Sequence, residues 1–157
     1  MSTPLLLSSK VVDVTFGEGV TIIEPVNLYG CILSDNVFIG PFVEVQNNVE
    51  IGPRSKVQSH SFICSLVKIG SDCFIGHGVM FINDRFASGG PARGNTKKWE
   101  TTVIGNNVSI GSGATILPIN ICDDAVIGAG AVVAKNITVP GVYVGNPAKL
   151  LIKEKAQ

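Results

Sequence analysis

Residues 33–81 read LSDNVFIGPFVEVQNNVEIGPRSKVQSHSFICSLVKIGSDCFIGHGVMF. Leu33, Ile39, Val45, Ile51, Val57, Ile63, Ile69, Ile75 and Phe81 stand six apart in it without a miss. A helix repeats every 3.6 residues or so and a strand about every two, so neither alone selects a six-residue grid. A fixed hexad period instead marks stacked short units, each burying its apolar residue only against its neighbours. Four places on from the grid lie Val37, Val43, Val49, Ser55, Ser61, Val67, Cys73 and Val79. Small and β-branched residues there suit the inside of a tight corner. Short strands joined by such corners make an all-β chain, a parallel β-helix whose rungs stack at strand spacing, about 4.8 Å.

Working outward, Val14, Val20, Val26 and Ile32 form an earlier grid offset by one. The offset reads as a one-residue insertion near residues 29–33. Beyond Phe81 the grid stops, then resumes at Ile104, Ile110 and Ile116, and again at Ile121, Ile127, Val133 and Val139. The step of five from Ile116 to Ile121 reads as one residue deleted at a corner. Gly40, Gly52, Gly70, Gly76, Gly105, Gly111 and Gly128 follow the aliphatic position, with Asn47–Asn48, Asp72 and Asn106–Asn107 close by. These residue types tolerate the positive φ that sharp corners need. Residues 84–102 break the repeat with Gly89, Gly90, Pro91, Gly94 and a polar run from Asn95 to Lys98. A long excursion from a regular solenoid is expected to carry function. The tail, 147–157, reads as a brief helix or a segment closing the last rung. The whole of 1–157 is expected to form one β-helix domain.

Composition narrows the function classes. Twelve basic and twelve acidic residues cancel, and no basic stripe suggests nucleic acid. Cys31, Cys64, Cys73 and Cys122 show no CxxC spacing, so buried free thiols in a reducing compartment are expected. The start carries only a Leu5–Leu7 run, too short and too little charged for a signal peptide, and no stretch reaches membrane-span length. A cytoplasmic protein without a membrane or nucleic-acid partner is the expectation.

The repeat Ile-Gly-x-x-Val/Ala-x resembles that of the hexapeptide-repeat acyltransferases over nearly the whole chain. Residues 75–84 (IGHGVMFIND) look like the segment before the protruding loop of bacterial nucleotide-sugar N-acetyltransferases. Residues 110–116 (IGSGATI) and 127–133 (IGAGAVV) look like coils lining the acetyl-CoA site, and 144–149 (VGNPAK) like the terminal motif. The resemblance implies a left-handed β-helix of triangular section with three hexads per coil. It implies a homotrimer with active sites between subunits beside the loop. It implies acetyl-CoA as acyl donor, a nucleotide-sugar acceptor, no metal, and a place in surface polysaccharide synthesis.

Three hexads per coil stack residues 18 apart. Asn47, Ser65 and Asn83 then form one outer ladder, and Asn48, Leu66 and Asp84 the next. Asn83 and Asp84 stand at the loop root, where the resemblance implies catalytic and sugar-orienting roles. Ser65 departs from the pattern, since many relatives carry a carboxylate at that place. An amine is a strong enough nucleophile to attack a thioester directly once placed about 3–3.5 Å from its carbonyl carbon. Asp84 is expected to orient the amine and Asn83 to position sugar or thioester. His60 and His77, 17 apart on outward positions, are candidate substrate-binding groups and the alternative bases. The loop holds no His, unlike O-acetyltransferases of similar sequence, which argues against a hydroxyl acceptor. Two His per chain also fall short of the three-His zinc site of carbonic-anhydrase-like relatives. By motif position, Ser112, Ala114, Ala129, Lys135 and Lys149 are the candidate acetyl-CoA contacts. Trp99, the sole Trp, packs the loop or stacks on a base. The expected activity is N-acetylation of a dTDP-3-amino-3,6-dideoxyhexose. A UDP-linked amino sugar, sugar O-acetylation and a non-catalytic scaffold are the alternatives.

Overall fold

The structure, a computed structural model, describes residues 10–152. The Leu5–Leu7 run and residues 153–157 of the tail lie outside the described residues. Short strands, most of two residues, stack into three sheets of seven, six and eight strands, parallel except for the last strand of the third. The first face holds Glu44–Val45, Phe62–Ile63, Met80–Phe81 and Thr115–Ile116. The second holds Glu50–Ile51, Val67–Ile69, Thr102–Ile104 and Asn120–Ile121. The third holds Lys56–Val57, Phe74–Ile75, Ser109–Ile110 and Val126–Ile127. The chain visits the faces in turn, so this is a parallel β-helix, consistent with the left-handed winding that the resemblance implies.

The hexad grid is the core. Leu33, Ile39, Val45, Ile63, Ile75, Ile110 and Ile116 are fully buried, each stacked on the like residue of the next coil. Full burial of such a side chain contributes roughly 1.5–3 kcal/mol, repeated at every rung. The second signal is inward too: Val37, Val43, Val49 and Val79 are buried, as are Ser55 and Ser61.

Register measures each coil. Val45 lies opposite Ile63, and Val57 opposite Ile75, a coil of eighteen. Ile104 lies opposite Ile121, and Ile116 opposite Val133, a coil of seventeen, so the deletion read before Ile121 is present. The first coils differ from expectation. Phe16 lies opposite Leu33, Ile22 opposite Ile39 and Leu28 opposite Val45, which is again seventeen. The grid residues there are Phe16, Ile22 and Leu28, and the step of five to Leu33 is a deletion rather than an insertion. Val14, Val20 and Val26 occupy corner slots, and Ile32 points outward at 46 % exposure. Val139 is likewise exposed, and Ile137 takes the core place above Ile121.

The corners are left-handed as expected at Asn48, Asp72 and Asn107, but also at Phe42, Arg54, His60, Leu66 and Asp124. The glycines after the grid serve another purpose. A Cβ at Gly52 would lie 2.6 Å from the carbonyl carbon of Gly70, and one at Gly76 would lie 2.7 Å from the Ile110 oxygen. They let adjacent coils approach, and do not supply positive φ. The described part of the tail, 147–152, forms no helix and closes the last rung. Lys149–Leu150 turns back antiparallel on Val142–Val144. No described helix is long and apolar enough to cross a membrane.

Candidate functional site

The excursion leaves the first face after Met80–Phe81 and rejoins the second at Thr102–Ile104, so it spans 82–101 rather than 84–102. Thr102 is a fully buried strand residue. The backbone N–H of Glu100 donates to the Asn83 carbonyl at 2.8 Å and closes the loop neck. Arg85 pairs with Glu100 at 3.2 Å and also donates to the Pro118 carbonyl. Farther out, Asn95 caps a 3₁₀ turn, Thr96–Lys98, by accepting from Lys97 N–H.

The Asn47–Ser65–Asn83 ladder is present. Ser65 Oγ lies 2.7 Å from Asn47 Oδ1, and Asn83 Nδ2 donates to the Ser65 carbonyl at 3.2 Å. Ser65 also donates from its backbone N–H to Gln46 Oε1. These bonds fix the Asn83 amide and leave its Oδ1 to accept from a ligand. Asp84 has another use. Its two oxygens accept backbone N–H bonds from Phe86 at 2.8 Å and from Ala92 at 2.7 Å, so the carboxylate clamps both limbs of the loop.

The clamped loop roofs a cavity of about 520 Å³ on the first face. Phe62, Met80, Phe86 and Trp99 form its apolar wall, while Asn83 and Asp84 stand at its polar edge. Gln46, Cys64 and Thr115 also line it. Burial pushes the Cys64 thiol up to about 12. Sequence reasoning missed Phe62, Met80, Gln46 and Cys64. A signal existed: Phe62 and Met80 are eighteen apart, as are Gln46, Cys64 and Ile82, so outward residues of one face stack beside the loop root.

Other expected site residues lie elsewhere. His60 and His77 sit exposed on the corner between the third and first faces. The His60 ring stacks on Phe42 at 4.8 Å, and His77 Nδ1 lies 2.9 Å from Ser59 Oγ. Neither lines the cavity. Ser112 and Ala129 continue that same corner, exposed, on higher coils. Ala114 is fully buried in the core, so its side chain cannot touch a bound molecule. Lys135 stands on the corner between the first and second faces, and Lys149 on the terminal strand, both exposed. Among the described residues no three His, Cys, Asp or Glu gather in a metal-binding group.

Comparison with known proteins agrees with the fold. Residues 30–65 match the bacterial transferase hexapeptide family, and 101–135 the hexapeptide repeat of succinyl-transferase. The chain is 32 % identical to the bifunctional protein GlmU of Streptococcus uberis, over 96 % of this chain and 30 % of that protein. It spans between a quarter and a third of the length of the curated relatives it matches. Among solved structures, AntD, an N-acyltransferase from Bacillus cereus bound to dTDP and coenzyme A, superposes with a TM-score of 0.77. That match has 20 % identity and covers 92 % of this chain and 86 % of that one. A perosamine N-acetyltransferase from Caulobacter crescentus, with CoA and GDP-perosamine, gives 0.63 at 17 % identity, covering 92 % and 58 %.

Proposed function

The chain belongs to the hexapeptide-repeat acyltransferases, and from that premise we propose that it acetylates the amino group of a nucleotide-linked amino sugar, with acetyl-CoA as donor. A dTDP-3-amino-3,6-dideoxyhexose is the preferred acceptor and a UDP-linked amino sugar the second choice. The observation that carries the reading is the mostly apolar cavity at the loop root, with Asn83 and Asp84 at its polar edge. AntD, which shares the fold, is in complex with dTDP and coenzyme A, and that supports the two substrate classes.

In this reading the neutral amine donates one N–H to Asn83 Oδ1, which turns its lone pair toward the thioester carbon. Asp84 holds the roof down through Phe86 and Ala92. Each of its oxygens keeps a second lone pair for an ammonium or amine hydrogen. Attack forms the C–N bond and a tetrahedral oxyanion. Collapse breaks the C–S bond, and the departing thiolate takes the amine's proton. The apolar wall excludes water and strengthens these polar contacts. His60 and His77 take no part in this scheme. We further propose a homotrimer in which a neighbouring subunit completes the cavity, with CoA running past the exposed Ser112 and Ala129.

Kinetics of two variants test the assignment. Asn83→Ala should lower kcat/KM roughly 10- to 100-fold, the cost of one or two substrate hydrogen bonds. Asp84→Asn turns one acceptor into a donor facing a backbone N–H, and should lower kcat/KM at least as much. Unchanged values for both would remove the reaction from this cavity.

A further inference from the structure

The loop has two faces. Phe86 and Trp99 look into the apolar cavity, whereas Arg85, Ala87, Ser88, Lys98 and Glu100 line a second cavity of about 270 Å³. Asp84 borders both, so the two spaces meet at one residue. The second cavity is lined by two cations, Arg85 and Lys98, and two carboxylates, Asp84 and Glu100. Arg85 is paired with Glu100, and both Asp84 oxygens face backbone N–H groups. Lys98 joins none of the ion pairs among the described residues, which are Arg54–Asp72, Lys68–Glu50 and Arg85–Glu100. Its Nζ donates to Ser88 Oγ at 2.9 Å, which leaves two ammonium hydrogens unused. The Ser88 hydroxyl hydrogen is also unused, because that oxygen serves Lys98 as acceptor. Lys97 and Arg93 are exposed on the same loop.

We propose that this second cavity binds the diphosphate of the acceptor, with Lys98 and Ser88 as its ligands. The proposal rests on the amino-sugar reading above and extends it. In a nucleoside-diphosphate sugar the diphosphate is bonded directly to the anomeric carbon. A sugar whose amine is seated against Asn83 therefore presents its phosphates within one sugar ring of that residue. An ammonium and a hydroxyl already held together offer a point charge and a donor to phosphate oxygens. The loop then reads both halves of one ligand, the ring on its apolar side and the anion on its polar side.

Calorimetric titration of the full chain with dTDP, and with inorganic pyrophosphate, tests the site without requiring turnover. Wild type should bind both. Lys98→Ala should weaken each by about tenfold or more, while Lys98→Arg keeps most of the affinity and Ser88→Ala loses less than Lys98→Ala. Unchanged thermal midpoints without ligand would establish that the variants fold. Lys98→Ala binding within about twofold of wild type, or no binding by wild type at millimolar ligand, overturns the site. Acetyl transfer separates the two ideas. If Lys98→Ala raises KM for the nucleotide sugar and spares kcat, both stand. If transfer occurs but that KM is unmoved, only the diphosphate site falls. If diphosphate binds through Lys98 and no amino sugar is ever acetylated, the amino-sugar reading falls and the anion site remains.

Discussion

Three polar side chains in the core show how closely single residues are specified. Ser55 donates to the Gly70 carbonyl at 2.8 Å and accepts from Cys73 N–H, and Ser61 donates to the Gly76 carbonyl at 2.8 Å. Thr102, one coil beyond Val67 in the same kind of slot, has no partner for its buried hydroxyl. An unsatisfied buried group costs about 1–3 kcal/mol. Thr102→Val, nearly isosteric, should therefore stabilise the fold by roughly 1 kcal/mol in urea unfolding, whereas Ser55→Ala should destabilise it by a similar amount. A destabilised Thr102→Val would mean that the hydroxyl is satisfied. Cys64 gives a pH-dependent case. Burial holds its thiol up to about 12, above the ordinary value of 9.0, so the unfolded chain loses this proton first as pH rises. Stability is then fully present below pH 9 and falls above it, by up to about 1.4 kcal/mol per pH unit from this one group. Unfolding measured from pH 8 to 11 should fall less steeply in Cys64→Ala than in wild type. Equal slopes would contradict the assignment.

At the level of elements, the loop is the part whose conformation one side chain controls. Asp84→Ala removes both clamping bonds and should release Phe86 and Trp99 from the cavity. Because Trp99 is the sole Trp, its emission should shift to the red and quench more readily. Unchanged emission would mean the neck bond from Glu100 to Asn83 suffices. The hexads, the excursion and the ladder below Asn83 were legible in the sequence because stacking repeats one environment every coil. The phase of the first coils is hidden in the sequence, because Val14, Val20 and Val26 are as apolar as the register residues Phe16, Ile22 and Leu28, of which only Leu28 is fully buried. The pairing of Phe16 with Leu33, Ile22 with Ile39 and Leu28 with Val45 reveals the phase. The glycines were recognised as necessary for the wrong reason, since the sequence does not show that a Cβ at Gly52 would meet the Gly70 backbone at 2.6 Å. The cavity wall was invisible for a related reason. Phe62 and Met80 alternate outward like any strand residue, and only the folded loop covers them.

For the whole molecule, the outer surface carries more apolar area than a lone prism needs. Phe42, Phe74, Met80 and Val126 are between 40 and 58 % exposed. The proposed trimer predicts a light-scattering mass of about 50 kDa from a 16.5 kDa chain. A mass near 16.5 kDa would leave the cavity without a neighbour. The most direct measurement of the account as a whole is thiol release from acetyl-CoA with matched dTDP-linked 3-amino and 3-hydroxy 6-deoxyhexoses. The account predicts stoichiometric release with the amino sugar, an amide product, and no release above background with the hydroxy sugar. Turnover of the hydroxy sugar alone, or of neither, would contradict it.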